Sequence, residues 1–182
     1  MMIVEPLPAA SAILLRDRPL EVLMILRNEK SSFVPSAWVF PGGAVDPADG
    51  DPGTLDAARV AAIREVFEET AIRIERELVP TSRWITPAGL PKRFDTWFFL
   101  AAVRRDVAVI LQEAEAVDYR WIAPKDALAL SGAGEFPMVF PTIKNLEAIA
   151  SATSVEELLA SRRGAEIPTM QPVLVNNRPV LP

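Results

Sequence analysis

Apolar positions change their period several times along the chain. AILLR at 12–16 and EVLMILR at 21–27 are continuous aliphatic runs separated by Asp17, Arg18, Pro19 and Leu20, which predicts two strands joined as a hairpin. WVFPGGAVD at 38–46 reads as a short strand breaking at Pro41, Gly42 and Gly43, where glycine permits a tight turn and a close approach of backbone to a ligand. DPADGDPG at 46–53 has no apolar face and predicts an exposed loop with little part in the core. From Thr54, an N-cap type, to about Thr70 there is no Gly or Pro and Ala, Arg and Glu dominate, so a helix is expected. Further strands are predicted near 81–88, 94–103 and 118–122, and shorter helices at 124–130, 141–151 and 154–162, with the Pro-rich residues 168–182 extended along the surface. Strands interleaved with helices in this order predict an α/β sandwich. A chain of 182 residues suits one domain over 1–182, with its core at about 10–150 and a helix and tail at about 151–182.

The long helix has two faces. Ala58, Ala61, Ala62, Val66 and Ile72 recur at helical spacing and form an apolar stripe, while Glu65, Glu68 and Glu69 gather on another side. Like charges three and four positions apart cost about 0.2–0.5 kcal/mol per pair, and the negative end of the helix dipole disfavours them further. Two readings are open. The glutamates are a solvated face in which Arg64 pairs with Glu68 at i+4, or they are oxygen ligands for a divalent cation such as Mg²⁺ or Mn²⁺. A Gly-rich segment just upstream favours the second, because it suits a diphosphate and metal site.

Composition narrows the chemistry. The chain has no Cys and no His, which excludes disulfides, thiolate nucleophiles and imidazole bases. Catalysis must then run on carboxylates, Lys, Tyr, Ser or Thr, or on a metal held by oxygen. A net charge of −5 argues against a broad nucleic-acid surface, though a small anionic substrate remains open where a cation mediates. The longest apolar runs fall short of the roughly 20 residues of a membrane span. Residues 1–10 carry Glu5 and two prolines with no basic flank, unlike a secretion signal, so a cytoplasmic location is expected.

WVFPGG followed by AAIREVFEETAI resembles the signature of the Nudix hydrolases: Gly, five residues, Glu, seven residues, then Arg-Glu-apolar-any-Glu-Glu-any-Gly-apolar. Arg64, Glu65, Val66, Glu68, Glu69 and Ile72 match position for position. The resemblance implies a Nudix-type α/β/α sandwich with a mixed central sheet. It also implies that Glu65, Glu68 and Glu69 ligate Mg²⁺ or Mn²⁺, and that Arg64 holds the glutamates through a salt bridge. Two departures stand out. Ala71 replaces the late Gly, and Arg64 lies 21 positions after Gly43 where the pattern has 14. A count from Gly50 would restore the spacing with Asp56 in the place of the first Glu, but the strand before Gly43 favours an insertion of seven residues.

KRFDTWFFLAAV at 92–103, QEAEAVDYRWIAPKDAL at 112–128 and FPTIKNL at 140–146 resemble the coenzyme A and acyl-CoA diphosphatase branch. That branch carries Leu-Leu-Thr-x-Arg in the second strand, matched here by residues 23–27 with Ile25 in place of Thr, which makes Arg27 a candidate substrate contact. Gly42 and Gly43 are candidates for approach to the substrate. Lys92 and Arg93 are candidates for its phosphates, or a solvated loop pair. Trp84 and Trp97 are core aromatics or an adenine platform, and Trp121 is core. Glu113 or Glu115 is the candidate loop acid which, with Glu68 or Glu69, would take a proton from water. The resemblance thus implies a metal-dependent diphosphate hydrolase. Its expected partner is a small nucleotide-type molecule, with no nucleic acid or membrane, and a homodimer is left open. The alternatives are a Nudix hydrolase of ADP-ribose, NADH or nucleoside triphosphates, a nucleotide-sensing module without turnover, and an ordinary α/β scaffold whose glutamates are surface charge.

Overall fold

The two aliphatic runs form the centre of the molecule, as β1, Leu7–Arg16, and β2, Glu21–Arg27, paired antiparallel across the turn at 17–20. The computed structural model describes residues 4–31 and 34–182. Its remaining strands are β3, Trp38–Val39, β4, Gly42–Ala44, β5, Val79–Ile85, β6, Phe94–Ala102, β7, Ala116–Ile122, β8, Thr169–Met170, β9, Val173–Val175, and β10, Arg178–Val180. The helices are α1, Leu55–Thr70, α2, Pro124–Gly132, α3, Phe140–Ile149, and α4, Val155–Arg162. The main sheet runs β3-β2-β1-β6-β5-β8, with β4 against β1 and β7 against β2. β1 and β6 are parallel over nine pairs and most other pairings are antiparallel, so the sheet is mixed.

Alternation along the central strands sends side chains to two cores. Ala10, Ala12, Leu14, Leu23 and Ile25 face α1, where Ala58, Ala61, Ala62 and Val66 are buried. Ile13, Leu15, Val22 and Met24 face the opposite layer, with Ala127 of α2, Leu146 and Ile149 of α3, and Leu158 and Leu159 of α4. The result is the expected α/β/α sandwich. Trp84 lies in the second core, 4% exposed and edge-on to Phe140 at 5.9 Å, so it is a packing residue and not an adenine platform. Trp97 is half-buried beneath the Arg83 guanidinium, which an ion pair with Asp95 holds. Trp121 is half-buried and packs against the first core.

Most boundaries fall within a few residues of the pattern, with three corrections. The stretch at Gly42 and Gly43 is not a turn. Both residues lie in β4, paired with Ser11 and Ala10, and neither has a positive φ. Second, residues 46–53 are not a loop detached from the core. They contain a 3₁₀ turn, Pro47–Asp49, closed by a reciprocal cap in which the Asp46 side chain accepts from Ala48 N and the Asp49 side chain from Asp46 N. Asp49 itself is buried. Third, the tail is not merely extended: β8 adds to β5 in parallel, and β9 and β10 form a hairpin through Asn176 and Asn177, both at positive φ. VLVNNRPV carried that signal, since consecutive Asn residues suit a two-residue turn.

Thr54 caps α1 by accepting from Ala57 N, as its type predicts. At the other end Ala71 sits at φ 58°, ψ 9°, donating its N–H to the Phe67 carbonyl. That is a left-handed cap, where Gly is unstrained and a Cβ costs about 1 kcal/mol. Ala71→Gly is therefore expected to stabilise the protein by about 0.5–1 kcal/mol in urea unfolding, the loss of unfolded-state restriction taking back part of the gain. Any net destabilisation would contradict the left-handed cap.

Candidate active site

Small residues let α1 approach β4 until acid side chains meet backbone. A Cβ on Gly43 would overlap the Glu65 carboxyl group, and one on Gly42 would overlap the Ala10 carbonyl oxygen. Gly42 N donates to Glu69 Oε2 at 2.8 Å. Both glycines are thus required by close approach, to a neighbouring strand and to a glutamate.

Arg64 organises the acids. Its Nε and Nη2 donate to the two oxygens of Asp49 at 3.0 and 2.7 Å, and Nη2 also reaches the Ala44 carbonyl at 3.0 Å. Nη1 bridges Glu65 at 2.7 Å and Glu68 at 3.1 Å. These contacts hold the Asp49 carboxyl below its ordinary pKa, against its own desolvation, and push the Arg64 guanidinium further up. Asp49 is the residue that sequence reasoning missed. It lies six positions beyond Gly43, with five residues between, in the place of the pattern's first Glu, so the seven extra residues follow it and do not precede it. Asp56, the other candidate for that place, is exposed in the first turn of α1.

The three glutamates differ in environment. Glu68 is exposed. Glu65 is half-buried, and desolvation raises its pKa despite the opposing pull of Arg64. Glu69 is 2% exposed, and burial pushes its carboxyl up to about 8, only partly offset by the Gly42 N–H and the Arg27 charge. Among the described residues no three acids stand in metal-holding geometry. Glu65 and Glu68 are turned to Arg64, and Glu69 to Gly42. The loop after β6 is hung on the end of α1, with Ile110 N donating to Thr70 O and Gln112 N to Glu69 O. This brings the charge of Glu115 onto both Glu65 and Glu69, whereas Glu113 meets Asn28 through its backbone carbonyl.

Arg27 joins the cluster electrostatically while Nε and Nη2 donate to Ser31 Oγ at 3.1 and 2.7 Å. Arg93 is not brought in as a solvated phosphate contact. It is 7% exposed and donates to the Thr86 and Val4 carbonyls, tying down the residues before β1. Lys92 is half-buried with its ammonium 5.3 Å from the Phe94 ring centroid.

Comparisons with known proteins point the same way. A family model described as NUDIX domain matches residues 5–140. The Caenorhabditis elegans protein called nudix hydrolase 7 is 30% identical over 174 residues, covering 76% of this chain and 58% of that protein. The human acyl-coenzyme A diphosphatase NUDT19 is 33% identical over 79 residues, or 42% of this chain and 21% of that one. Its Xenopus laevis counterpart is 23% identical, covering 59% and 54%. The chain thus spans little more than half the length of the first two of these relatives to be matched, the worm and frog proteins. A NUDIX hydrolase structure from Alicyclobacillus acidocaldarius superposes with a TM-score of 0.77 at 25% identity, covering 86% of this chain and 96% of that one. Among the described residues no helix is long and apolar enough to cross a membrane.

Two outcomes test this geometry. Asp49→Ala removes a paired buried carboxylate and is expected to cost about 2 kcal/mol in denaturant unfolding, whereas Asp56→Ala costs under about 1 kcal/mol. Equal losses would dissolve the distinction between the two acids. The second concerns pH. With no His in the chain, the Glu69 carboxyl, raised to about 8, is the side chain that dominates titration between about pH 5 and 8. A raised folded-state pKa favours the folded protein fully below the unfolded value, and that advantage is lost as pH rises through the folded value. Metal-free protein should therefore lose stability from about pH 5 to about pH 8, and Glu69→Gln should remove most of the slope. A slope that the variant leaves intact would locate the titrating group elsewhere.

Proposed function

We propose that this chain, which belongs to the Nudix hydrolase family, hydrolyses a diphosphate linkage in a nucleoside diphosphate derivative, with coenzyme A or an acyl-CoA favoured and 3′,5′-ADP and (acyl-)phosphopantetheine as products. The observation that carries this reading is the set Glu65, Glu68 and Glu69, the first two paired with Arg64 and the third held against the glycine edge of β4. The donors are hard carboxylate oxygens in a chain without His or Cys, which fits Mg²⁺ or Mn²⁺ and not a soft metal. Glu65, Glu68 and Glu69 would hold the ion, which when bound supplies positive charge for the leaving phosphate and lowers the pKa of water.

The residues divide the remaining work. Arg64 fixes the carboxylates, so that their positions do not have to be found when substrate arrives. Gly42 and Gly43 leave room for the Glu65 and Glu69 carboxyl groups against β4 and do not face the substrate, and Arg27 meets the charge of the substrate phosphates. Glu115 takes the proton as water attacks phosphorus, because the helix glutamates serve as ligands and Glu115 is the loop acid coupled to them. Glu113 instead offers its backbone carbonyl to Asn28. Arg93 serves by anchoring the residues before β1, and Lys92 stays with it at the start of β6. The preference for coenzyme A is supported by the RFDT and PT-x-x-x-L segments and by the similarity to the proteins named acyl-coenzyme A diphosphatase.

Incubation with coenzyme A, ADP-ribose, NADH and dinucleoside polyphosphates, with Mg²⁺ and then Mn²⁺, tests the reading directly. Coenzyme A or its acyl form should be cleaved fastest. ADP-ribose outpacing it about tenfold, some 1.4 kcal/mol, would overturn the substrate class and leave hydrolysis standing, whereas metal binding without turnover would favour a sensing module. Glu65→Gln and Glu69→Gln should each lower kcat about a hundredfold or more, and Glu115→Gln similarly, with Glu113→Gln near wild type. A reversed order for the last two would exchange their roles.

A further inference from the structure

The end of the sheet away from β4 is strongly basic in a chain of net charge −5. A cleft of about 360 Å³ at the ends of β1 and β6 is walled by Arg16, Arg18, Arg76, Arg104 and Arg105, against only Asp17 and Glu156. A second, of about 340 Å³, adjoins it across Arg76 and Arg104. Both acids have their main partners elsewhere: Asp17 Oδ1 accepts from Val155 N at 3.0 Å, and Glu156 pairs with Arg163 at 2.9 Å while feeling the Arg76 charge more weakly. Three of the arginines are engaged, Arg16 with Glu21 at 2.7 Å, Arg104 with Asp106 at 2.9 Å, and Arg105 with Glu21 at 3.5 Å. Among the described residues the guanidiniums of Arg18 and Arg76 have no hydrogen bond or ion pair.

The wall is also fixed in place. The Arg16 guanidinium stacks on Trp121, 4.4 Å from the ring centroid, and Arg105 Nη1 donates to the Asp17 carbonyl at 2.8 Å. Arg105 therefore holds the turn that presents Arg18, whose φ of 68° carries a side chain where Gly would be unstrained. With Arg16, Arg104 and Arg105 already partnered by carboxylates, Arg18 and Arg76 are the two guanidiniums of this concave surface that an anion between them would pair. Arg16 lies five positions along β1 from Ser11, the partner of Gly42, or about 16 Å of strand, so the cleft is distinct from the glutamate cluster.

We propose that this cleft binds a phosphate-type oxyanion, free or carried by a small phosphoester, between Arg18 and Arg76. The planar guanidinium fork matches phosphate oxygens two at a time, and the volume is that of a small-molecule site. A long polyanion does not suit a chain whose overall charge is negative.

The site is independent of the hydrolytic reading, so it is tested on chelator-treated protein. Amide and arginine Nε resonances are followed by NMR as inorganic phosphate, pyrophosphate or ADP is added. Saturable shifts at residues 16–18, 76 and 102–105 are expected at about 1 mM or below in moderate salt. Tighter binding of ADP identifies a phosphoester ligand, and equal binding of phosphate identifies the free anion. The Arg18→Ala, Arg76→Ala double variant should weaken binding about tenfold or more at an unchanged unfolding midpoint, since both side chains are exposed and unpaired. No saturable shift below about 10 mM, shifts that survive the double variant, or shifts confined to 42–43 and 65–69 would each overturn the proposal.

Discussion

One guanidinium holds the acidic site together. Arg64 spends its nitrogens on Asp49, Glu65, Glu68 and the Ala44 carbonyl, and so ties the segment after β4, the strand itself and two turns of α1 to one point. A single positive charge does not neutralise the acids around it. Glu69 stands outside its reach, buried against β4, and Glu115 adds a further negative charge from the loop. The cluster is left with an electrostatic deficit that protonation of Glu69 relieves in part. A hard divalent cation, as proposed for the site, would relieve the remainder.

The deficit follows from packing. Ala58, Ala61 and Ala62 give α1 a flat face that sits close on Ala10, Ala12 and Leu14. At that separation the side chains of Glu65 and Glu69 meet β4 before they meet water, and only glycine at 42 and 43 leaves room. Small residues thus set a helix-to-strand spacing, the spacing sets the burial of two carboxylates, and burial sets their proton affinity. The requirement for glycine here is steric and comes from tertiary contact, because neither residue needs a backbone conformation closed to others.

This distinction marks what the sequence could reveal. Period and capping are local, so α1 from its Thr54 cap, the hairpin of β1 and β2, and the glutamate face of REVFEETAI were all legible. The strand character of Gly42 and Gly43 was not, because it rests on pairing with residues some thirty positions away in β1. Asp49 was hidden for the same reason. DPADGDPG has the composition of an exposed loop, and its one buried acid is buried by an arginine fifteen residues downstream. The first five residues of β1, LPAAS, carry two small alanines, a serine and a proline, and they become a strand through their neighbours β4 and β6. Arg93 misled in the opposite sense. A charged residue in a predicted loop is ordinarily solvated, and this one is buried because backbone carbonyls at Val4 and Thr86 converge on it.

The absence of histidine gives the raised carboxylates their weight. A chain without imidazole has few groups that exchange a proton near neutrality, and a carboxylate does so only when its environment shifts it by several units. Burial does this to Glu69, and the same burial makes the residue unsuited to remain charged alone. Proton and cation would then compete for the same oxygens, and occupancy by one expels the other. The helix that crowds its acids against a glycine strand couples proton binding and fold stability through one side chain, and with an ion held as proposed a change at Glu69 would act on metal affinity as well.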